Sequence, residues 1–107
     1  MPSLLVKIVR FVDETQPGVV ACEFLDAHDH RHTLIDKIPM FSELDLWTDS
    51  AYPQPGAARC QMLERLHGES GQEFLRITIK RPDHLETVEG KSEFVVFKSQ
   101  ITDDSMP

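Results

Sequence analysis

The chain has 107 residues, and its 18 acidic and 11 basic side chains give a formal net charge of −7. Hydrophobic residues make up 40% and charged residues 27%, the balance of a soluble globular protein, and the length favours a single domain. No apolar run approaches the roughly 20 residues of a membrane helix, and the acidic balance argues against non-specific binding to nucleic acid.

The first half of the chain predicts three short strands, because apolar runs rich in β-branched residues alternate with turn residues. The three strands cover Leu4–Val12, Val19–Asp26 and His32–Pro39. A turn is expected over Asp13–Gly18, since its Pro-Gly pair favours turn conformations, and Ala27–Arg31 is expected to form a polar tip.

A different pattern begins at Met40 and continues to Gly56. Ser42 is expected to cap a short helical turn, with Glu43 and Asp45 in its first turn near the positive end of the helix dipole. The two prolines of Tyr52–Gly56 fix their own φ and restrict the residues before them, so that stretch is expected to be extended or turned.

The second half predicts three further strands, over Ala57–Leu66, Glu73–Arg81 and Ser92–Lys98. His67–Gln72 is a hairpin loop between the first two, and Pro82–Lys91 connects the last two. Residues 103–107 are expected to form a flexible acidic tail.

The hairpin of the fourth and fifth strands alternates between apolar and polar residues when Cys60 is paired with Ile79 and Met62 with Ile77. One face then becomes apolar and the other polar, as in an antiparallel sheet with one solvated face. The expected apolar face consists of Ala58, Cys60, Met62, Leu75, Ile77 and Ile79.

The same test on the second and third strands leaves a conflict. Pairing Phe24 with Leu34 puts Cys22 opposite Asp36, so that a carboxylate lies on an apolar face. A buried Asp36 with a raised pKa would be an acid–base candidate, but satisfaction by backbone donors or by a neighbour such as Lys37 or Arg10 is the commoner outcome.

These elements predict an all-β fold, a single small β-barrel over residues 1–102 with about six strands and a short helical turn between the third and fourth. By topology it resembles an OB-fold barrel, in which a helix plugs one end, or an SH3-like barrel. Closure into a barrel would remove the unpaired strand edges that promote aggregation. Topology alone implies no function.

Three stretches resemble a group of short bacterial proteins that have no assigned activity. They are His32–Pro39, Tyr52–Gly56 and Gly90–Phe94. The resemblance implies a bacterial domain that stands alone, and it implies nothing about chemistry.

The two cysteines, Cys22 and Cys60, show no metal-binding or disulfide spacing. Lys7 and Arg10 interrupt the N-terminal apolar stretch, so that it is interpreted as a strand rather than a signal peptide. A cytoplasmic, reduced protein is the expectation, with both cysteines acting as small buried hydrophobes.

A histidine-rich tip is the most distinctive motif in the chain. On an extended strand, His28, His30 and His32 would share one face, and Asp26 just precedes them. Imidazoles with a carboxylate suit Zn or Ni, so these four residues are weak candidates for a metal site. The alternative is a solvated polar tip without a cofactor, because a turn at the hairpin tip disrupts the alternation of side chains, and a structural site needs a fourth ligand beside the three histidines and a second shell.

The polar face of the predicted fourth and fifth strands is a second candidate site. It carries Arg59, Arg65, Arg76 and Lys80 beside Phe74 and Gln61. Basic and aromatic residues on such a sheet are typical of single-strand nucleic-acid binding, but the acidic total and the low aromatic content of 7% make that partner unlikely here. A solvated face or a protein-contact patch are the other interpretations, with Phe74, Arg59 and Arg76 as contact candidates.

The only Trp and the only Tyr, Trp47 and Tyr52, lie in the irregular segment with Phe41, Leu44 and Leu46. They are expected either to cover the open end of the barrel or to face a protein partner, since both residue types are enriched at binding hot spots. Exposure of Trp47 would favour the second interpretation.

No catalytic motif accompanies these candidates, so we expect no enzyme. The favoured function is a protein-interaction domain that binds a second copy of itself or a basic partner drawn by its negative charge. An acidic, immunity-like inhibitor of a basic toxin or nuclease is the alternative, and a metal-binding module at the histidine tip is the third.

Overall fold

The computed structural model describes residues 1–14 and 18–103, and it confirms the all-β class. The strands are β1 (Pro2–Asp13), β2 (Val19–Leu25), β3 (Arg31–Lys37), β4 (Gln54–Arg59), β5 (Gln61–His67), β6 (Glu73–Thr78), β7 (Glu93–Phe97) and β8 (Ile101–Asp103). Two single 3₁₀ turns, Ile38–Met40 and Lys98–Gln100, follow β3 and β7. The expected turn at Asp13–Gly18 and the expected tail lie partly outside the described residues, although Asp103 ends β8.

The first sheet is built around β1. Its strand order is β3-β2-β1-β4, and the short β8 pairs with the start of β1. Alternate residues of β1, including Leu4, Val6 and Ile8, are buried on the inner face. This central strand therefore pairs with three others, and its inner face contributes several residues to the core.

The second sheet has the order β5-β6-β7 and begins at a bend in the chain. The predicted fourth strand is divided at Cys60, which leaves the ladder and donates its N–H to the carbonyl of Pro2 at 3.0 Å. The chain thus passes directly from β4 in the first sheet to β5 in the second.

The predicted closed barrel is not observed among the described strands, which form two antiparallel sheets. On the side opposite Cys60, the sheets are linked by a backbone bond from Ala27 N–H to the Val95 carbonyl, at 2.8 Å, and not by a strand ladder. The outer edge of β3, which pairs with no strand among those described, is contacted by a loop. Val88 N–H of this loop donates a hydrogen bond to the Thr33 carbonyl at 2.9 Å.

The helical turn expected at Ser42 is also not observed. The single 3₁₀ turn between β3 and β4 begins earlier, at Ile38, and has Pro39 in its first turn, where the missing N–H of proline costs no hydrogen bond. Ser42 Oγ instead accepts a hydrogen bond from Leu44 N–H at 3.0 Å, which stabilises an open loop.

The predicted pairing of Met62 with Ile77 is confirmed, and the inner face of β6 is buried as expected. Met62 itself is 44% exposed, because β5 is an edge strand and an irregularity lies between Met62 and Glu64.

The predicted register of β2 and β3 is wrong by two residues. Cys22 lies opposite Leu34, and Phe24 lies opposite His32. Asp36 is therefore at the end of the strand pair, half-buried, where its Oδ1 accepts a hydrogen bond from Lys37 N–H at 2.7 Å. Asp36 thus lies on the same face as predicted, but opposite Val20 near the strand end, and the buried His32 takes the position opposite Phe24.

Both cysteines are free and fully buried, as predicted for small hydrophobes. Burial raises the pKa of the Cys22 thiol to about 12 and that of Cys60 to about 11. At neutral pH both thiols are protonated, which suits a packing role rather than a nucleophilic one.

Replacing Ile77, which is fully buried in β6, tests the shared core. We expect Ile77→Ala to lower the free energy of unfolding by about 2–5 kcal/mol, since it leaves a cavity between the sheets. Ile35→Ala is the matched control, because Ile35 is a strand isoleucine that is 41% exposed; it should cost about 1 kcal/mol or less. Urea unfolding measures both, and equal losses would contradict a core at Ile77.

Candidate functional site

A groove with a volume of about 560 Å³ lies beside the irregular segment between β3 and β4. The far wall comes from the end of β1 and the start of β2, through Phe11, Glu14 and Gly18. The apolar lining residues are Phe11, Ile38, Pro39, Leu44, Leu46 and Trp47. Its size and mixed lining are in the range of sites that hold small ligands or segments of a partner.

The segment is fastened to the core by two residues. Phe41 and Leu46 are 4% and 6% exposed and belong to the main hydrophobic cluster. Trp47 and Leu44 point outward instead, with 59% and 58% of their surface exposed. The segment was expected either to cover the core or to face a partner. Phe41 and Leu46 cover the core, whereas Trp47 is exposed, which favours the second interpretation.

Hydrogen bonds hold the backbone at Trp47. Its N–H donates to Ser50 Oγ at 2.8 Å, and its carbonyl accepts from the Tyr52 hydroxyl at 2.6 Å and from Ser50 N–H at 3.1 Å. Tyr52 is half-buried and packs against the core. The predicted pair of Trp47 and Tyr52 is thus brought together, with Tyr52 positioning the exposed Trp47.

The groove is acidic. Residues 38–53 carry Glu43, Asp45 and Asp49 and no basic side chain, and Glu14 lines the opposite wall. Within the described part of the chain, none of these four carboxylates forms an ion pair. Three of these carboxylates, those of Glu14, Glu43 and Asp45, line the groove itself.

The basic contact candidates do not line the groove, and both are already paired. Arg59 lies in a neighbouring cavity that shares Glu43 with the groove, and Arg76 lies on the second sheet. Both guanidinium nitrogens Nε and Nη2 of Arg59 donate to the Asp83 carboxylate. Arg76 donates to Glu64 at 3.1 Å and to Glu93 at 2.9 Å. These partners offset the positive charge that a nucleic acid would need.

Phe74 lies on the outer face of the second sheet, half-buried, with its ring centroid 5.2 Å from that of Phe97. The two rings face each other across β6 and β7 in register. Phe74 and Arg76 are thus on a different surface from Trp47, and the structure does not bring the five contact candidates into one site.

The histidine tip does not converge on a metal position. His28 and His30 are exposed, whereas His32 is 6% exposed and faces inward. Asp29 has a positive φ of 63° at the tip, which breaks the alternation on which the prediction depended. Among residues 1–14 and 18–103, no group of three or more His, Cys, Asp or Glu side chains is placed to hold a metal ion.

Asp26 organises the tip instead. Its Oδ1 accepts hydrogen bonds from the N–H groups of His28 and His30, at 2.8 and 3.0 Å, and its Oδ2 lies 2.7 Å from His32 Nε2. Burial favours a raised pKa for Asp26, but the hydrogen bond with His32 and those from the two backbone amides outweigh it and lower the pKa.

The His32 ring packs between two phenylalanines. Its centroid lies 5.1 Å from that of Phe24 and 4.6 Å from that of Phe94, and these two rings meet edge to face at 5.0 Å. One ring nitrogen is thus directed to Asp26 while the ring completes the core, so the arrangement stabilises the fold.

Comparison of the chain with protein-family models, with curated proteins and with solved structures finds no match. In the part of the chain that the structure describes, no helix has the length and apolar character needed to cross a membrane.

Two features of the candidate sites do not follow from the sequence analysis, namely the role of Asp26 at the histidine tip and the far wall of the groove. The sequence analysis assigns Asp26 only as a metal ligand, although an Asp directly after a strand often accepts hydrogen bonds from backbone amides two to four residues later. The far wall of the groove had no signal, because Phe11 and Glu14 come from a distant hairpin.

Removing the Asp26 charge should loosen the tip. We expect Asp26→Asn to lower the free energy of unfolding at neutral pH by about 1–3 kcal/mol, because buried donors lose a charged acceptor. The lowered native pKa means that this stabilisation is present above the unfolded value of about 3.9 and is lost as the pH falls through the native pKa.

The difference between wild type and Asp26→Asn should therefore shrink as the pH is lowered below about 4. Asp29→Asn removes the same charge from the same tip, but Asp29 is exposed and Asn tolerates its positive φ. Denaturant unfolding across pH measures both variants. A difference for Asp26→Asn that is independent of pH would contradict the assigned role of the carboxylate.

Proposed function

We propose that this protein is a non-enzymatic protein-interaction domain whose contact surface is the Trp47 groove. The observation that carries the proposal is the exposed indole of Trp47 on a backbone held by Ser50 and Tyr52. Large apolar side chains left in solvent on an ordered loop are typical of binding surfaces.

The hydrogen bonds at Trp47 bear on affinity. Binding costs free energy when loops must be ordered, and the backbone at Trp47 is already held by Leu46 in the core on one side and by Tyr52, packed against the core, on the other. Tryptophan buries a large area with only two rotatable side-chain bonds. The groove is therefore prepared to bind before a partner arrives.

Two kinds of protein partner fit the proposal. A second copy of the chain would use a further surface in addition to the groove, the open edge of β5, where Met62 and Leu63 are 44% and 38% exposed. A basic partner has support from the carboxylates that line the groove. An immunity-like inhibitor of a basic toxin or nuclease is a specific form of the second, and salt separates the two because screening weakens only charge-steered binding.

A metal-binding module has less support. His32 is directed to Asp26, so a site for Zn or Ni at the tip would have to use the exposed His28 and His30 without it. A cytoplasmic location fits the two unpaired, buried cysteines and completes the proposal.

Site-specific photo-crosslinking in the native host tests the proposed surface. A photo-reactive residue at Leu44, in the groove, should form an adduct with a protein, and the same residue at Glu89, on a distant turn, should not. A crosslink from neither position would count against the proposal. An adduct between two copies of this chain would identify a self-interface.

The partner identified by the crosslink is then purified, and its binding to the wild-type protein and to variants is measured by calorimetry. We expect Trp47→Ala to weaken binding by about 30-fold, which corresponds to a hot spot of about 2 kcal/mol. Val88→Ala is the matched control, since Val88 is equally exposed at 60% but lies outside the groove. Equal affinities for the two variants would overturn the assignment of the groove.

A further inference from the structure

We propose that the Trp47 groove binds an arginine side chain from an extended, basic segment of another protein, with the guanidinium group against the indole and the carboxylates around it. This inference rests on the proposed function and adds the chemical class of the ligand. It follows from charge, from the exposed aromatic ring and from the apolar floor of the groove.

The negative charge of the groove is the first property that restricts which ligand it binds. Glu14, Glu43 and Asp45 line the groove, and they form no ion pair within the described ranges. Elsewhere, carboxylates such as Asp83 and Glu93 have arginine partners. The three groove carboxylates would repel an anionic occupant and attract a cationic one.

The indole of Trp47 selects among cations. A cation over the face of a tryptophan is attracted by the ring electrons, and the planar guanidinium also stacks on the ring while donating to carboxylates. An ammonium group is a compact, strongly hydrated charge and does not stack. Arginine is therefore expected to bind more tightly than lysine.

The floor of the groove accommodates the rest of the segment. Ile38, Pro39 and Leu46 provide apolar surface for the methylene groups of a long basic side chain. The volume of about 560 Å³ exceeds one side chain, so neighbouring aliphatic residues of the partner also fit.

A second copy of the chain fits this groove less well. Each copy carries a net charge of −7, so two copies repel as they approach. Arg59 and Arg76 are also committed to carboxylates of their own chain. The charge of the groove thus favours a basic partner over self-association.

Three blocked peptides of one backbone test the inference, each with leucines beside a central residue that is arginine, lysine or citrulline. Citrulline retains the shape of arginine without its charge. Binding is followed by the fluorescence of Trp47, the only tryptophan of the chain. We expect saturable binding of the arginine peptide, weaker binding of lysine and a loss of about ten-fold or more for citrulline.

Two double variants with the same change in net charge locate the effect. Glu43→Gln with Asp45→Asn should weaken the arginine peptide by about ten-fold and leave the citrulline peptide unchanged. Glu69→Gln with Glu89→Gln, at exposed positions outside the groove, should change neither. All four substituted residues are exposed, and urea unfolding confirms that each variant is folded.

Equal binding of the arginine and citrulline peptides, no saturable binding, or equal effects of the two double variants would each overturn the inference. Such a result would leave the crosslink from Leu44 and the effect of Trp47→Ala as they stand. Failure of the ligand class is therefore distinguishable from failure of the proposed contact surface.

Discussion

The carboxylate of Asp26 is the interaction on which much of this structure depends. By accepting from two backbone amides and pairing with His32, it ends β2 at Leu25 and sets the turn into β3. The conformation of this turn determines which residues pair across β2 and β3, so Leu34 lies opposite Cys22. A buried pair, Asp26 and His32, thus connects this turn to the core.

The register of β2 and β3 also determines where the groove lies. With Val19 opposite Lys37, the chain leaves β3 beside Gly18, and Ile38 N–H donates to the Gly18 carbonyl at 3.1 Å. Gly18 has a φ of +79°, and a Cβ there would lie 3.0 Å from Ile38 Cδ1, so glycine suits this close approach. The irregular segment therefore starts next to Phe11, and the groove forms between them.

Much of the fold was predictable from local patterns. The alternation of β6 and the confirmed pairing of Met62 with Ile77 depend on side chains within one hairpin, where the period of two is a strong constraint. The register of β2 and β3 depended on a turn whose conformation is set by a side chain, and period two cannot distinguish registers that differ by two residues. The division at Cys60 arises from packing between sheets, which no local pattern encodes.

The candidate site was predictable only in part, for a related reason. Trp47 and Tyr52 were identified by residue type, but the total charge of −7 does not reveal which carboxylates are paired. Pairing depends on contacts between distant residues, such as Arg59 with Asp83, 24 positions apart. Only these contacts show that, among the described residues, Glu43 and Asp45 beside Trp47 form no ion pair.

A purely structural role does not account for the irregular segment. Phe41 and Leu46 are sufficient to bury it against the core, and an exposed Trp47 adds nothing to that burial. Exposed apolar surface carries a risk of aggregation, and acidic groups around it reduce that risk by keeping copies of the chain apart. The same arrangement of an apolar ring and repelling charges attracts a cation, so one design serves both solubility and recognition.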